Sequence, residues 1–187
     1  KKLDYPAAMP QELMDKLKKG YLCVVPSITF QYEEAKRLLN LFFEKNIPAV
    51  PLKGLFLSKR IYGDIAARGL SADFDLLVEE KNIGLAKEIL EEAGYSFVPE
   101  DSGMEWTEQS VFTKKDATPI ELHWGIRPDV ISLKRMNGFW EGARIKEEDG
   151  VKYYEFKEEE LIIFLAAHYI GSKHFSQLTY ICDINEV

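Results

Sequence analysis

The chain has 187 residues, 46% of them hydrophobic and 12% aromatic, with 24 Lys and Arg against 31 Asp and Glu for a net charge of −7. That is enough apolar material for one core of ordinary size, with at most a small helical appendage, and it excludes a disordered chain. The acidic balance, with basic runs no longer than pairs such as Lys18-Lys19 and Lys114-Lys115, excludes the broad positive surface that tracks a phosphate backbone, so long nucleic acid is not an expected partner.

In chain order, Gln11 to Lys19 has a helical pattern that Gly20 would close, because glycine suits a left-handed C-terminal cap. Tyr21 to Val25 fits a strand or a short helix equally. From Ser27 to Lys45 the period is helical, with Leu38, Leu39, Phe42 and Phe43 inward and Glu33, Glu34, Lys36 and Arg37 outward. Ala49 to Leu52 reads as an extended segment that passes through Lys53-Gly54 into a helix over Leu55 to Tyr62. A loop over 63–72 then leads into a strand, Asp73 to Val78. Asn82 to Ala93 is amphipathic and Gly94 caps it, and the next strand begins at Tyr95.

Beyond a polar loop at Pro99 to Gly103, the period changes from 3.6 to 2. Glu105 to Thr113 and Thr118 to Trp124 predict a hairpin, with Ile120, Leu122 and Trp124 on one face and Glu121 and His123 on the other, away from the core. Arg127 to Asn137 reads as loop or short helix, with Phe139-Trp140 as a packing anchor. Glu148-Asp149-Gly150 signals a second hairpin. Helical periodicity then runs from Lys157 to Val187, interrupted at Gly171-Ser172, as expected of a segment cut from a longer chain. The expected fold class is α+β, a mixed sheet flanked by helices with a helical C-terminal part. Its expected divisions are an N-terminal helical segment over 1–46, an α/β core over 47–156 and C-terminal helices over 157–187.

No apolar run approaches the roughly 20 residues of a membrane helix. With no recognisable signal peptide, no membrane association is expected and the expected location is cytoplasmic. Cys23 and Cys182 form no Cys-x-x-Cys pattern and read as buried thiols in a reducing compartment.

The chemistry gathers at Asp73-Phe74-Asp75. In a strand the two aspartates share a face, and adjacent carboxylates repel unless a cation lies between them. Oxygen donors of this kind suit Mg²⁺ or Mn²⁺. An isolated Asp-x-Asp is more often a cap beside a solvated carboxylate, but here further groups accompany it. Glu121 offers a third carboxylate on a later strand, and three such groups can hold two divalent ions roughly 3.5–4 Å apart for phosphoryl or nucleotidyl displacement. Lys53 and the N–H groups following Gly54 suit phosphate, with Ser58, Arg68 and Ser71 as further substrate-binding candidates. His123 reads equally as a site residue or a packing residue. His168 and His174 are spaced for helix packing and capping, and no further zinc ligands accompany them.

In series, Pro51-Leu52-Lys53-Gly54, Arg68, Asp73-Phe74-Asp75-Leu76-Leu77-Val78, Gly94-Tyr95 and Ile120-Glu121-Leu122-His123-Trp124 resemble a bacterial family of nucleotidyltransferases within the DNA polymerase beta-like superfamily. The likeness continues through Phe139-Trp140, Glu160 to His168, His174-Phe175 and Cys182-Asp183-Ile184, so it spans roughly residues 30–187. It implies the polymerase beta-like fold, Asp73, Asp75 and Glu121 as catalytic metal ligands, Mg²⁺ or Mn²⁺ as cofactor, and an NTP and an unidentified hydroxyl-bearing acceptor as partners. One departure stands out: the wider superfamily has Gly-Gly or Gly-Ser at the turn, where this chain has Gly54-Leu55. The expected activity is metal-dependent transfer of a nucleoside monophosphate. The alternatives are an inactive module of the same fold, binding a protein partner through the C-terminal helices, and a metal-dependent phosphohydrolase.

Overall fold

The segment with the paired aspartates forms strand β2 (Phe74–Val78), which is buried along its whole length. A strand covered on one side would alternate between core and water, so β2 lies between two packed layers. The computed structural model describes residues 9–99, 108–126, 133–173 and 178–187. Its five-stranded sheet has the order β1 (Ala49–Pro51), β2, β5 (Ile120–His123), β4 (Gln109–Thr113), β3 (Ser96–Val98). Only the central β2–β5 pair is parallel, with Phe74 opposite Ile120, Asp75 opposite Glu121 and Leu77 opposite His123. The remaining pairs of this sheet are antiparallel, so the sheet is mixed and the fold α+β, with helices on both faces.

Period-two alternation distributes β2 and β5 between the two layers. Phe74, Leu76, Ile120 and Leu122 face a core built with α1 (Gln11–Glu44) and α3 (Ile83–Glu92), to which Leu38, Phe42, Ala86 and Leu90 contribute. Leu77, joined by Val50 of β1, faces a second core that includes Phe139 from α4 (Leu133–Gly142) and Phe164 and Leu165 from α5 (Glu158–Lys173). Phe139 and Trp140 are the expected anchor, both packing edge-on against Phe156 at 5.2 and 6.0 Å. The charged face of β5 was expected to turn away from the core; instead it shares its side of the sheet with this second core.

The main difference from the sequence reading is at the N-terminus. One 34-residue helix, about 51 Å long, replaces the two helices and the strand or short helix expected between them, and Gly20 and Pro26 lie inside it. Glycine in a helix interior costs only about 1 kcal/mol relative to alanine. Pro26 costs more, since it takes the hydrogen bond from the Leu22 carbonyl. Burial of Ile28, Tyr32, Ala35, Leu38, Leu39 and Phe42 anchors the helix beyond Pro26. Cys23 lies on the exposed half of α1 and Cys182 on the outer side of α6 (Leu178–Glu186); both are exposed free thiols, not the expected buried ones.

The second hairpin, β6 (Arg144–Glu148) and β7 (Val151–Glu155), turns at Asp149-Gly150, where both residues have positive φ (51° and 76°). This is the conformation that a two-residue turn requires and that Asp-Gly supplies. Asp149 docks the hairpin onto the body by accepting from Tyr32 Oη at 3.2 Å and pairing with Lys59. At the far end of the chain, α5 continues through Gly171-Ser172 to Lys173, past the expected break. His174 and the expected structure over 100–107 and 127–132 lie outside the described residues. Among the described residues, no helix is long and apolar enough to cross a membrane.

Candidate functional site

Parallel pairing of β2 with β5 sets the site. Asp75 and Glu121 are register partners, and residues two apart on a strand share a face, so Asp75, Glu121 and His123 project to the α5 side of the sheet, while Asp73, just ahead of β2, joins them through Lys53. Among the described residues, Asp75, Glu121 and His123 form the one acidic and histidine group whose ligand atoms all lie within 4.8 Å of one another. Asp75 is 2% exposed, and its Oδ1 is 3.2 Å from His123 Nε2, while His123 Nε2 is 3.6 Å from Glu121 Oε2. Asp75 Oδ2 is buried and has no hydrogen-bond partner.

Lys53 enters from the junction after β1. Its Nζ is 3.1 Å from Asp75 and 3.8 Å from Asp73, so a cation of the chain itself lies between the two aspartates. This position follows from local structure. The Leu52 N–H donates to the Asp75 carbonyl at 3.1 Å, which holds the segment against β2. Gly54 then turns the chain into α2 (Leu55–Tyr62) with φ 68° and ψ −129°, a conformation effectively restricted to glycine. A side chain here would also meet the Ser71 hydroxyl, 3.1 Å from where a Cβ would stand. No side chain caps the start of α2.

The electrostatics follow from burial and mutual contact. Burial, reinforced by the charge of Asp75 and only partly countered by Lys53, pushes the Asp73 carboxyl up to about 6. Burial acts in the same direction on Asp75, but the His123 hydrogen bond and the Lys53 charge outweigh it and hold this carboxyl below its usual range. Burial lowers the pKa values of Lys53 and His123, yet the surrounding carboxylates raise both above their ordinary values. The site is thus a carboxylate cluster held together by cations, and Asp73 is its least compensated member.

The other predicted substrate residues have structural partners. Ser58 is fully buried; its hydroxyl donates to the Asp64 carbonyl at 2.7 Å and accepts from the Arg68 N–H at 3.3 Å. Ser71 Oγ donates to the Asp73 carbonyl at 2.7 Å, and the Ser71 carbonyl accepts from Gln31. Arg68 pairs with Asp183 of α6 at 3.0 Å. Lys53 and Gly54 therefore stand at the carboxylate cluster, while Ser58, Arg68 and Ser71 brace the loop that delivers Asp73.

Asp183 was not singled out as a functional residue in the sequence. It is fully buried, paired with Arg68 and accepts from Tyr62 Oη at 2.9 Å and Tyr169 Oη at 2.5 Å, so α2, α5, α6 and the loop meet on one carboxylate. An acidic residue between Ile181 and Ile184 was the available signal. His168 stacks on Phe164 at 5.8 Å, and burial followed by the Lys53 charge holds its pKa down to about 4, which places α5 within electrostatic reach of the site.

Over residues 1–187 the sequence matches the family described as uncharacterised nucleotidyltransferase. The chain belongs to this family. Two solved structures with the same kind of fold are the antibiotic-resistance factor ANT(2'')-Ia and the lincosamide antibiotic adenylyltransferase LnuA in its lincomycin-bound form. The first is 15% identical, with a TM-score of 0.55 over 84% of this chain and 82% of its own. The second is 13% identical, with a TM-score of 0.52 over 82% of this chain and 94% of its own. At such identities the likeness establishes the fold, a nucleotidyltransferase architecture, and nothing finer. No functionally curated protein matches the chain.

Proposed function

We propose that the chain transfers a nucleoside monophosphate from an NTP to a hydroxyl of an acceptor, with Mg²⁺ or Mn²⁺ as cofactor. The observation that carries this reading is the convergence of Asp75 and Glu121 across a parallel strand pair, with Asp73 joined to them through Lys53. The residues fit a divalent ion: they are predominantly oxygen donors, and a buried Asp75 oxygen lacks a partner. Asp73, Asp75 and Glu121 would hold the metal, which would offset triphosphate charge and ease deprotonation of the acceptor hydroxyl.

The chain's own residues have separate tasks. Lys53 supplies a positive charge at the strand-to-helix junction, and the uncapped N–H groups at the start of α2 suit phosphate oxygens. Glu121 completes the ligand set or accepts the acceptor's proton. In the reaction the acceptor oxygen bonds to the α-phosphorus, the bond from that phosphorus to the β-bridging oxygen breaks, and pyrophosphate leaves with the electron pair. The Arg68–Asp183 contact holds the loop that presents Asp73.

One observation favours a second reading, a binding module that has kept the fold without the activity: Lys53 already neutralises the aspartates where a metal would bind. Incubation with each labelled NTP and Mg²⁺ or Mn²⁺, followed by mass spectrometry, separates the two. The acceptors would be the protein itself and a panel of hydroxylated small molecules that includes lincomycin, the ligand named for LnuA. A nucleotidylated product that disappears in Asp75→Asn supports the transferase. If no NTP binds at millimolar concentration with either metal, the binding-module reading replaces it.

A further inference from the structure

We propose that His123 is a metal ligand, which would make the primary ion site a mixed nitrogen and oxygen set of Asp75, Glu121 and His123. The inference deepens the reading above and rests on it, but it assigns a role that three carboxylates alone would not require. It starts from the strand. His123 follows Glu121 by two residues on β5, so register places it on the acidic face. With its side chain 15% exposed, the ring is enclosed in the cluster rather than facing water.

The distances fit a coordination polyhedron. Ligands about 2.0–2.2 Å from one ion lie roughly 2.8–3.6 Å from each other when adjacent in an octahedral or tetrahedral shell. His123 Nε2 lies 3.2 Å from Asp75 Oδ1 and 3.6 Å from Glu121 Oε2, and ligand atoms of all three lie within 4.8 Å of one another, so an ion that replaces the proton shared by His123 and Asp75 would meet all three residues. Asp75 provides the independent sign of a missing partner: it is 98% buried by its 2% exposure, and its Oδ2 makes no hydrogen bond. Lys53 Nζ lies 3.1 Å from Asp75 Oδ1, the oxygen that His123 also contacts, which leaves Oδ2 as the Asp75 oxygen without a partner.

An imidazole donor changes which ion the site prefers. Carboxylate oxygens suit Mg²⁺ and Mn²⁺ alike, whereas an imidazole nitrogen favours a transition ion such as Mn²⁺ over Mg²⁺. Mn²⁺ should therefore bind more tightly than Mg²⁺.

The test is pulsed electron paramagnetic resonance on the metal-free protein titrated with Mn²⁺, read as electron spin echo envelope modulation. Wild type should show ¹⁴N modulation from a directly coordinated imidazole, replaced by a ¹⁵N pattern when histidine is ¹⁵N-labelled. In His123→Gln the nitrogen signal should vanish while Mn²⁺ still binds, at least about tenfold more weakly. The wild-type spectrum needs no variant, so a misfolded His123→Gln does not remove the test. Mn²⁺ bound without nitrogen modulation, or modulation that persists in His123→Gln, overturns this inference and leaves the carboxylate site standing. Absence of any Mn²⁺ binding overturns both.

Discussion

Replacing Asp73 with asparagine should stabilise the metal-free protein, against the general rule that substitutions at buried polar sites destabilise. Burial and the adjacent Asp75 charge raise the Asp73 carboxyl from 3.8 to about 6, so ionising it in the folded protein is unfavourable. Each tenfold change in an acid constant corresponds to about 1.4 kcal/mol, which gives a cost of about 3 kcal/mol. The side chain is 28% exposed, and solvent screening reduces this to about 1–2 kcal/mol. Because the folded pKa is raised, the penalty is absent below pH about 4, grows as pH rises towards 6 and is complete above that. Urea unfolding in EDTA, followed by tryptophan fluorescence at pH 4, 6 and 8, reads it directly. Asp73→Asn should gain about 1–2 kcal/mol over wild type at pH 8, with the gain shrinking towards pH 4. With Mn²⁺ at a hundred times its Kd, wild type should gain about 2.7 kcal/mol, and the variant less. If Asp73→Asn is no more stable than wild type at pH 8, Asp73 is not strained by its neighbours and the cation-held cluster is misdescribed.

Lys53→Ala should weaken NTP binding by about ten- to a hundred-fold, the loss of one charge-assisted contact. Since it also removes a cation 3.1 Å from Asp75, Mn²⁺ should bind more tightly by about tenfold in calorimetric titration without nucleotide. Asp183→Ala should destabilise the protein by about 3–5 kcal/mol in chemical denaturation, because it leaves the Arg68 charge partly buried without its partner. Glu34 is held down to about 2, chiefly by the Arg37 hydrogen bond, with Lys114 assisting. A depressed carboxyl contributes stability above its unfolded value that fades as pH falls through its folded one. Wild type should therefore lose stability between pH about 4.5 and 2, and Glu34→Gln should show a shallower slope there.

The site was legible in the sequence where its signal was local. Alternation along 73–78 and 120–124 placed Asp73, Asp75, Glu121 and His123 on strand faces, and pairing of those strands brought the faces together. The single long α1 was less legible, because Gly20 and Pro26 are helix-ending signals that tertiary packing of the downstream half overrides. The sequence pattern could not show that the acidic face shares its side of the sheet with a second core, since the covering residues come from α4 and α5, far along the chain. The partners of the loop residues were hidden for a related reason. Ser58, Arg68 and Ser71 look available in sequence, and only the folded chain reveals the carbonyls and the Asp183 carboxylate that engage them.

The Arg68–Asp183 contact also has a consequence in time. The loop that presents Asp73 is clasped by a residue 115 positions beyond Arg68, so the clasp can close only after Asp183 has been synthesised. Contacts between such distant parts of a chain form late, because the intervening segment must be closed into a loop first. During synthesis the β2–β5 pair can assemble while the Asp73 approach remains unclasped. A nascent chain with its carboxylates already paired would therefore still lack the means to hold them in place.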